Sequence, residues 1–216
     1  MHAFNLPLSA GASVTIGLVV TVVVMVPLLS LPAEHFSAMA HEGARALFAV
    51  ILGLTVTEII LDRHSGSRTS IAGEGLRVGL TVLIGFLGPS LFGLGAARLI
   101  ASGYAVPVLW LLVVLLVLML FLLGRSFGWF SVPVAILLLY GILRYSHTRT
   151  EVIAAYVVAW LLLVSGVRAA VGHGLRTDER DEPGTGVHVT GLFGSLLWLA
   201  GALAALIVGG KLLVLG

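Results

Sequence analysis

Long apolar runs, separated by short polar stretches, dominate the chain. The runs 12–31, 79–101, 106–123, 127–144, 151–171 and 189–213 are on the scale of the ~20 mostly apolar residues that a bilayer-spanning helix needs. A further run, Ser37 to Leu52, is helical in pattern but shorter, and it carries ionisable residues inside "AMAHEGARAL". Ahead of it, "LPAEHFS" offers Pro32 as a breaker and Ser37 as an N-cap.

The pattern changes after Leu52. "GLTVTEIIL" is rich in the β-branched residues that favour strands, and "DRHSGSRTS" supplies turn chemistry around Ser65 and Gly66. The pattern predicts a β-hairpin, 54–61 with 68–72. The competing reading continues the preceding helix to Leu61, but Gly53 would then sit mid-helix at a cost of ~1 kcal/mol relative to alanine. The long polar stretch "GHGLRTDERDEPGTGVHV", 172–189, holds Pro183, Gly184 and Gly186 and reads as a loop before the last run. No internal repeat or second domain is visible. The expectation is a single integral membrane domain over 1–216: an all-α polytopic protein with about six to seven transmembrane helices and a small hairpin after the motif helix.

Composition supports this class. Hydrophobic residues make up 59% of the chain and charged residues 10%, against about a quarter charged in soluble domains, so a water-facing surface could not be covered. Net charge is +2 with no Lys/Arg-rich run, which argues against nucleic acid as a partner. There is no cysteine, and therefore no disulfide, thiolate metal site or cysteine nucleophile. The N-terminal residues lack a positive n-region, so the first apolar run is read as a retained helix. With seven crossings, Arg63, Arg68, Arg77, Arg125, Arg168, Arg176 and Arg180 share one side, opposite Arg98, Arg144, Arg149 and Lys211. That bias puts the N-terminus in the cytoplasm.

The candidate chemistry lies at His41, Glu42 and Arg45. On a helix, positions i and i+4 share a face, so H-E-x-x-H lets two imidazoles hold one zinc while the glutamate polarises bound water. Here His41 keeps the first ligand position and Glu42 the base position, but Arg45 stands at the second ligand position. A guanidinium has no lone pair to give and does not deprotonate in proteins. Ionisable groups in a span cost about 2.5–3.5 kcal/mol each on insertion scales and are functional by default. A cluster of three inside five residues is thus unlike an accident of composition.

The residues around the motif sharpen its meaning. From "HEGARALFAVILGLTVTEIILDRHSGSRTS" through "GEGLRVGLTVLIGFLGPSLFGLGAARLIASG", the chain resembles the site-2-protease-like membrane zinc metallopeptidases, in their small bacterial branch. Gly85, Gly88 and Pro89 match that branch's Gly-x-x-Gly-Pro motif, and "GRSFGWF" and "GLFGSLLWLAG" are also similar. The resemblance spans about 36–200 and is strongest from 41 to 103. It implies a multi-pass protein of the bacterial cytoplasmic (inner) membrane whose ancestral activity is zinc-dependent cleavage of membrane-spanning peptides. It also implies an aspartate as third ligand, for which Asp181 is the candidate and Asp178 the alternative.

With Arg45 in place of a ligand, the resemblance implies an impaired or non-catalytic copy, with zinc as cofactor only if activity survives. A metal-free site suggests another use of the same residues: Arg45 bridging Glu42 and Asp181 as an ion-pair lock, neutralising carboxylates that would otherwise repel. Such a protein would bind lipid and transmembrane segments, as a regulator or scaffold. The alternative class is a small transporter or channel component, which the absence of an inverted repeat disfavours.

Other polar residues carry less. His35 lies off the face of His41, and His64, His147, His173 and His188 fall in expected loops. Ser90 in "GPSLFG" lacks the Gly-x-Ser-Gly context of intramembrane serine proteases. Gly85, Gly88, Gly93 and Gly95, and the stripe Gly201, Ala205 and Gly209, read as close-packing faces for neighbouring helices. The leucine run 109–123 reads as lipid-facing.

Overall fold

The computed structural model describes residues 8–25, 31–60, 68–72, 76–123, 128–175 and 192–216. Among them are seven helices and one hairpin. In chain order these are α1 (Ala10–Met25), α2 (Leu31–Ile51), β1 (Thr55–Ile60), β2 (Arg68–Ala72), α3 (Leu76–Ala101), α4 (Ala105–Leu120), α5 (Gly128–Tyr145), α6 (Thr148–Leu175) and α7 (Leu192–Leu215). Four helices, α3, α5, α6 and α7, contain stretches long and apolar enough to cross a membrane, and α1 and α4 are shorter apolar helices. Large apolar side chains such as Leu18, Leu118, Leu137 and Ile207 face outward, the reverse of a water-soluble surface. This is a polytopic membrane fold.

The motif helix starts earlier than its pattern suggested. Pro32 and Ser37 both lie inside α2, which begins at Leu31, so Pro32 is not a breaker and Ser37 is not an N-cap. Proline is tolerated in a helix's first turn, where its missing N–H is not needed. The end of α2 falls where Gly53 predicts. Gly53 adopts φ +73°, its N–H donates to Val50 O at 3.0 Å, and the Leu54 N–H donates to Ala49 O at 2.8 Å. This is the Schellman arrangement, which closes the helix's last carbonyls at a left-handed residue.

The chain then forms the predicted hairpin. β1 and β2 are antiparallel, with Ile59 opposite Thr69 and a register irregularity between Val56 and Glu58. The turn at Ser65–Gly66 lies outside the described residues. On its other side β1 touches the end of α4: the Ile59 N–H donates to Leu122 O at 2.8 Å, and Ile59 and Leu123 form a parallel bridge. The hairpin is thereby held between α2 and α4.

At the centre stands α3, packed against α2, α6 and α7. The small residues expected to allow this do so at most positions. A side chain at Gly93 or Gly209 would run into Leu163 of α6, and one at Gly201 would meet Leu87 of α3. Gly95 is the exception, since nothing lies within 4 Å of where its Cβ would be. The leucine-rich run is not wholly lipid-facing either. α4 buries Val108, Leu109, Val113, Leu116 and Met119 and exposes Trp110, Leu111, Val114 and Leu118. That is a helical stripe at spacings of three and four, hidden in the sequence because both faces are apolar. Near the end of α1, Arg168 of α6 donates to the carbonyl of Val24, satisfying a helix-terminal acceptor that lipid could not.

Candidate functional site

The site begins with the contact between α2 and α3. A Cβ on Gly88 would overlap the Ala44 methyl and come within 3.3 Å of Ala40 O, so the two backbones approach as only a glycine allows. Pro89 beside it is fully buried. Gly85, one turn earlier, makes room for Arg45: a Cβ there would stand 3.1 Å from both Cβ and Nε of Arg45. Gly85 and Gly88 therefore lie directly against the motif helix, with Pro89 buried next to them.

This approach brings His41 to α3. Its Nδ1 lies 3.0 Å from Gly85 O. A carbonyl oxygen can only accept, so Nδ1 carries the hydrogen, and in the neutral ring the lone pair is on Nε2.

Glu42 faces the hairpin. The Thr69 hydroxyl donates to Glu42 Oε2 at 2.6 Å, a short charge-assisted bond. Arg45 Nη1 is 3.5 Å from the same carboxylate oxygen. Residue exposures of 4% for Glu42 and 6% for Arg45 make this a buried pair, not a solvated surface contact. The Arg45 guanidinium also sits 5.6 Å from the centre of the Phe86 ring, within cation–π range. Phe86 in turn stacks on Trp198 of α7 at 4.3 Å and meets the His41 ring edge-on at 6.4 Å. One aromatic ring thus links the motif helix to the last helix.

The structure brings together His41, Glu42, Arg45, Gly85, Gly88 and Pro89. Asp178 and Asp181 lie outside the described residues, as do His64 and His188. His147 is exposed between α5 and α6 and His35 is half-buried. Ser90 is buried at the crossing of α3 and α6, where a Cβ on Gly166 would collide with its hydroxyl, a packing position. Three participants were not singled out for the site from the sequence: Thr69, Phe86 and Trp198. Their types carry no signal by themselves, and 27 residues separate Thr69 from Glu42.

Among the described residues, the donor set does not fit a zinc ion. His41 has a suitable tautomer, since metal-binding histidines usually donate their other ring N–H to a carbonyl or carboxylate. At the second ligand position, however, Arg45 offers only N–H groups, and its guanidinium engages the carboxylate that would polarise a metal-bound water. No group of three or more His, Cys, Asp or Glu suited to a metal occurs among the described residues. What the arrangement can do is hold charge in balance in a buried site and tie α2 to the hairpin and to α3.

A family model described as Peptidase M50B-like matches residues 14–215. No curated protein and no solved structure matches the chain.

Proposed function

Because this chain belongs to the Peptidase M50B-like family, the site-2 protease family, we propose that it is a non-catalytic member in which a buried ion pair replaces the metal centre. It would act by binding transmembrane segments of other proteins, as a regulator or scaffold in the cytoplasmic membrane. One observation carries the reading: Arg45, at the second ligand position, is buried against Glu42, at the base position, with Nη1 and Oε2 3.5 Å apart. A zinc hydrolase needs that glutamate free to act on a metal-bound water and needs a lone pair from residue 45. Here residue 45 supplies a positive charge, and the glutamate neutralises it.

Asp181, or Asp178, completes the lock in this reading by adding a second carboxylate to Arg45. The hairpin has a structural part, since Thr69 holds Glu42 in the orientation that meets the guanidinium. Elemental analysis of the detergent-purified protein, paired with cleavage assays on membrane-spanning peptides, tests the reading. It expects no stoichiometric zinc and no cleavage. One zinc per chain, lost in His41→Ala, would overturn it.

A further inference from the structure

The Gly-x-x-Gly-Pro motif contains more than a packing face. Pro89 lies inside α3, and in an α-helix the N–H of residue 89 would bond to the carbonyl of residue 85. Proline has no N–H, and its ring crowds the carbonyl four residues earlier. The Gly85 carbonyl thus loses its helical partner, and it is the carbonyl that lies 3.0 Å from His41 Nδ1. A carbonyl left unbonded in a bilayer would be costly, because no water reaches it. The two deficits answer each other: α3 lacks a donor at 89, and α2 provides one from His41.

Glycines make the exchange possible. Without side chains at 85 and 88, α2 comes close enough for the imidazole to reach the α3 backbone. We propose that Pro89 is a positioning residue that, by withholding its own N–H, assigns the Gly85 carbonyl to His41 and fixes the imidazole as the Nδ1–H tautomer. The motif then has three parts with one outcome. Gly88 sets the distance between helices, Gly85 leaves room for Arg45 beside its own carbonyl, and Pro89 frees the acceptor. The result is a buried histidine with a defined lone-pair nitrogen and a fixed register between α2 and α3.

The inference concerns the imidazole alone and does not depend on whether Arg45 has abolished metal binding. The test therefore uses chelator-treated full-length protein in micelles, labelled with ¹⁵N-histidine and assigned for residue 41 by comparison with His41→Gln. Two-bond ¹H–¹⁵N spectra distinguish Nδ1–H from Nε2–H imidazole. The wild type should show His41 as the Nδ1–H form. In Pro89→Ala, and likewise in Pro89→Gly, the new N–H competes for Gly85 O, and the Nδ1–H to Nε2–H ratio should fall about two- to tenfold, the worth of one ordinary hydrogen bond. Pro133→Ala, which alters a proline inside α5, should leave the ratio unchanged. An Nε2–H wild-type ring would overturn the proposal without any variant. So would an unmoved ratio in the Pro89 variants, or an equal movement in Pro133→Ala. Zinc found in the untreated protein would count against the ion-pair reading of the site and would leave this result standing.

Discussion

Replacing Arg45 by methionine removes the positive charge and keeps most of the side chain's volume. The structure sets the size of the effect. Both partners are more than nine-tenths buried, and breaking such a pair from one side costs about 3–5 kcal/mol because the remaining charge stays desolvated. Loss of the guanidinium over Phe86 adds about 0.5–2 kcal/mol. Two effects work in the other direction. Glu42 keeps its bond from Thr69, and a carboxylate in a low-dielectric site escapes part of the penalty by taking up a proton. The expected net cost is about 3 kcal/mol, more than a hundredfold in the folded-to-unfolded ratio. Glu42→Gln should cost a similar amount from the other side. With both substitutions no uncompensated charge remains, so the double variant should lose clearly less than either single one, leaving a coupling of more than about 3 kcal/mol. Unfolding in mixed micelles of increasing SDS fraction, followed by tryptophan fluorescence, measures all four corners of the cycle. If Arg45→Met costs less than about 1 kcal/mol, or the two substitutions add within about 0.5 kcal/mol, the ion pair is not what stabilises this site.

Four further outcomes follow from named contacts. Arg45→His should give the chain a zinc ion measurable by elemental analysis, and adding Asp181→Ala should remove it again if that aspartate completes the site. Thr69→Val keeps the shape but leaves Glu42 without its 2.6 Å hydroxyl bond, for a loss of about 1.5–3 kcal/mol by the same unfolding assay. Gly88→Ala should cost about 1–3 kcal/mol through overpacking against Ala44, and Ala44→Gly in the same chain should recover a large part of it; no recovery would mean that the clash lies elsewhere. Gly53→Ala should cost about 1–2 kcal/mol, because φ of +73° is left-handed backbone that a Cβ disfavours.

The sequence by itself determined the class of the fold and several of its boundaries, because those depend on neighbours along the chain. Apolar runs of membrane length predict helices wherever they occur. Gly53 stops α2 because left-handed backbone suits glycine, and the β-branched run after it predicts β1 for equally local reasons. The identity of residue 45 also excluded a second imidazole before any geometry was known. Local reasoning failed where two signals looked alike. Pro32 reads equally well as a breaker or as a first-turn residue, and the leucines of α4 hide their buried stripe because lipid and core are both apolar. Only the tertiary structure decided what the charges do. Glu42 meets Thr69 because β2 folds back over α2, and Arg45 lies on Phe86 because Gly85 and Gly88 let α3 approach. Trp198 joins them from the last helix. These contacts couple residues far apart in sequence, and each depends on the packing distance between helices, a quantity that no run of neighbouring residues encodes. The partnership of Pro89 with His41 lies between the two cases. The missing N–H can be read from the sequence, but its partner is known only once two helices are seen to touch.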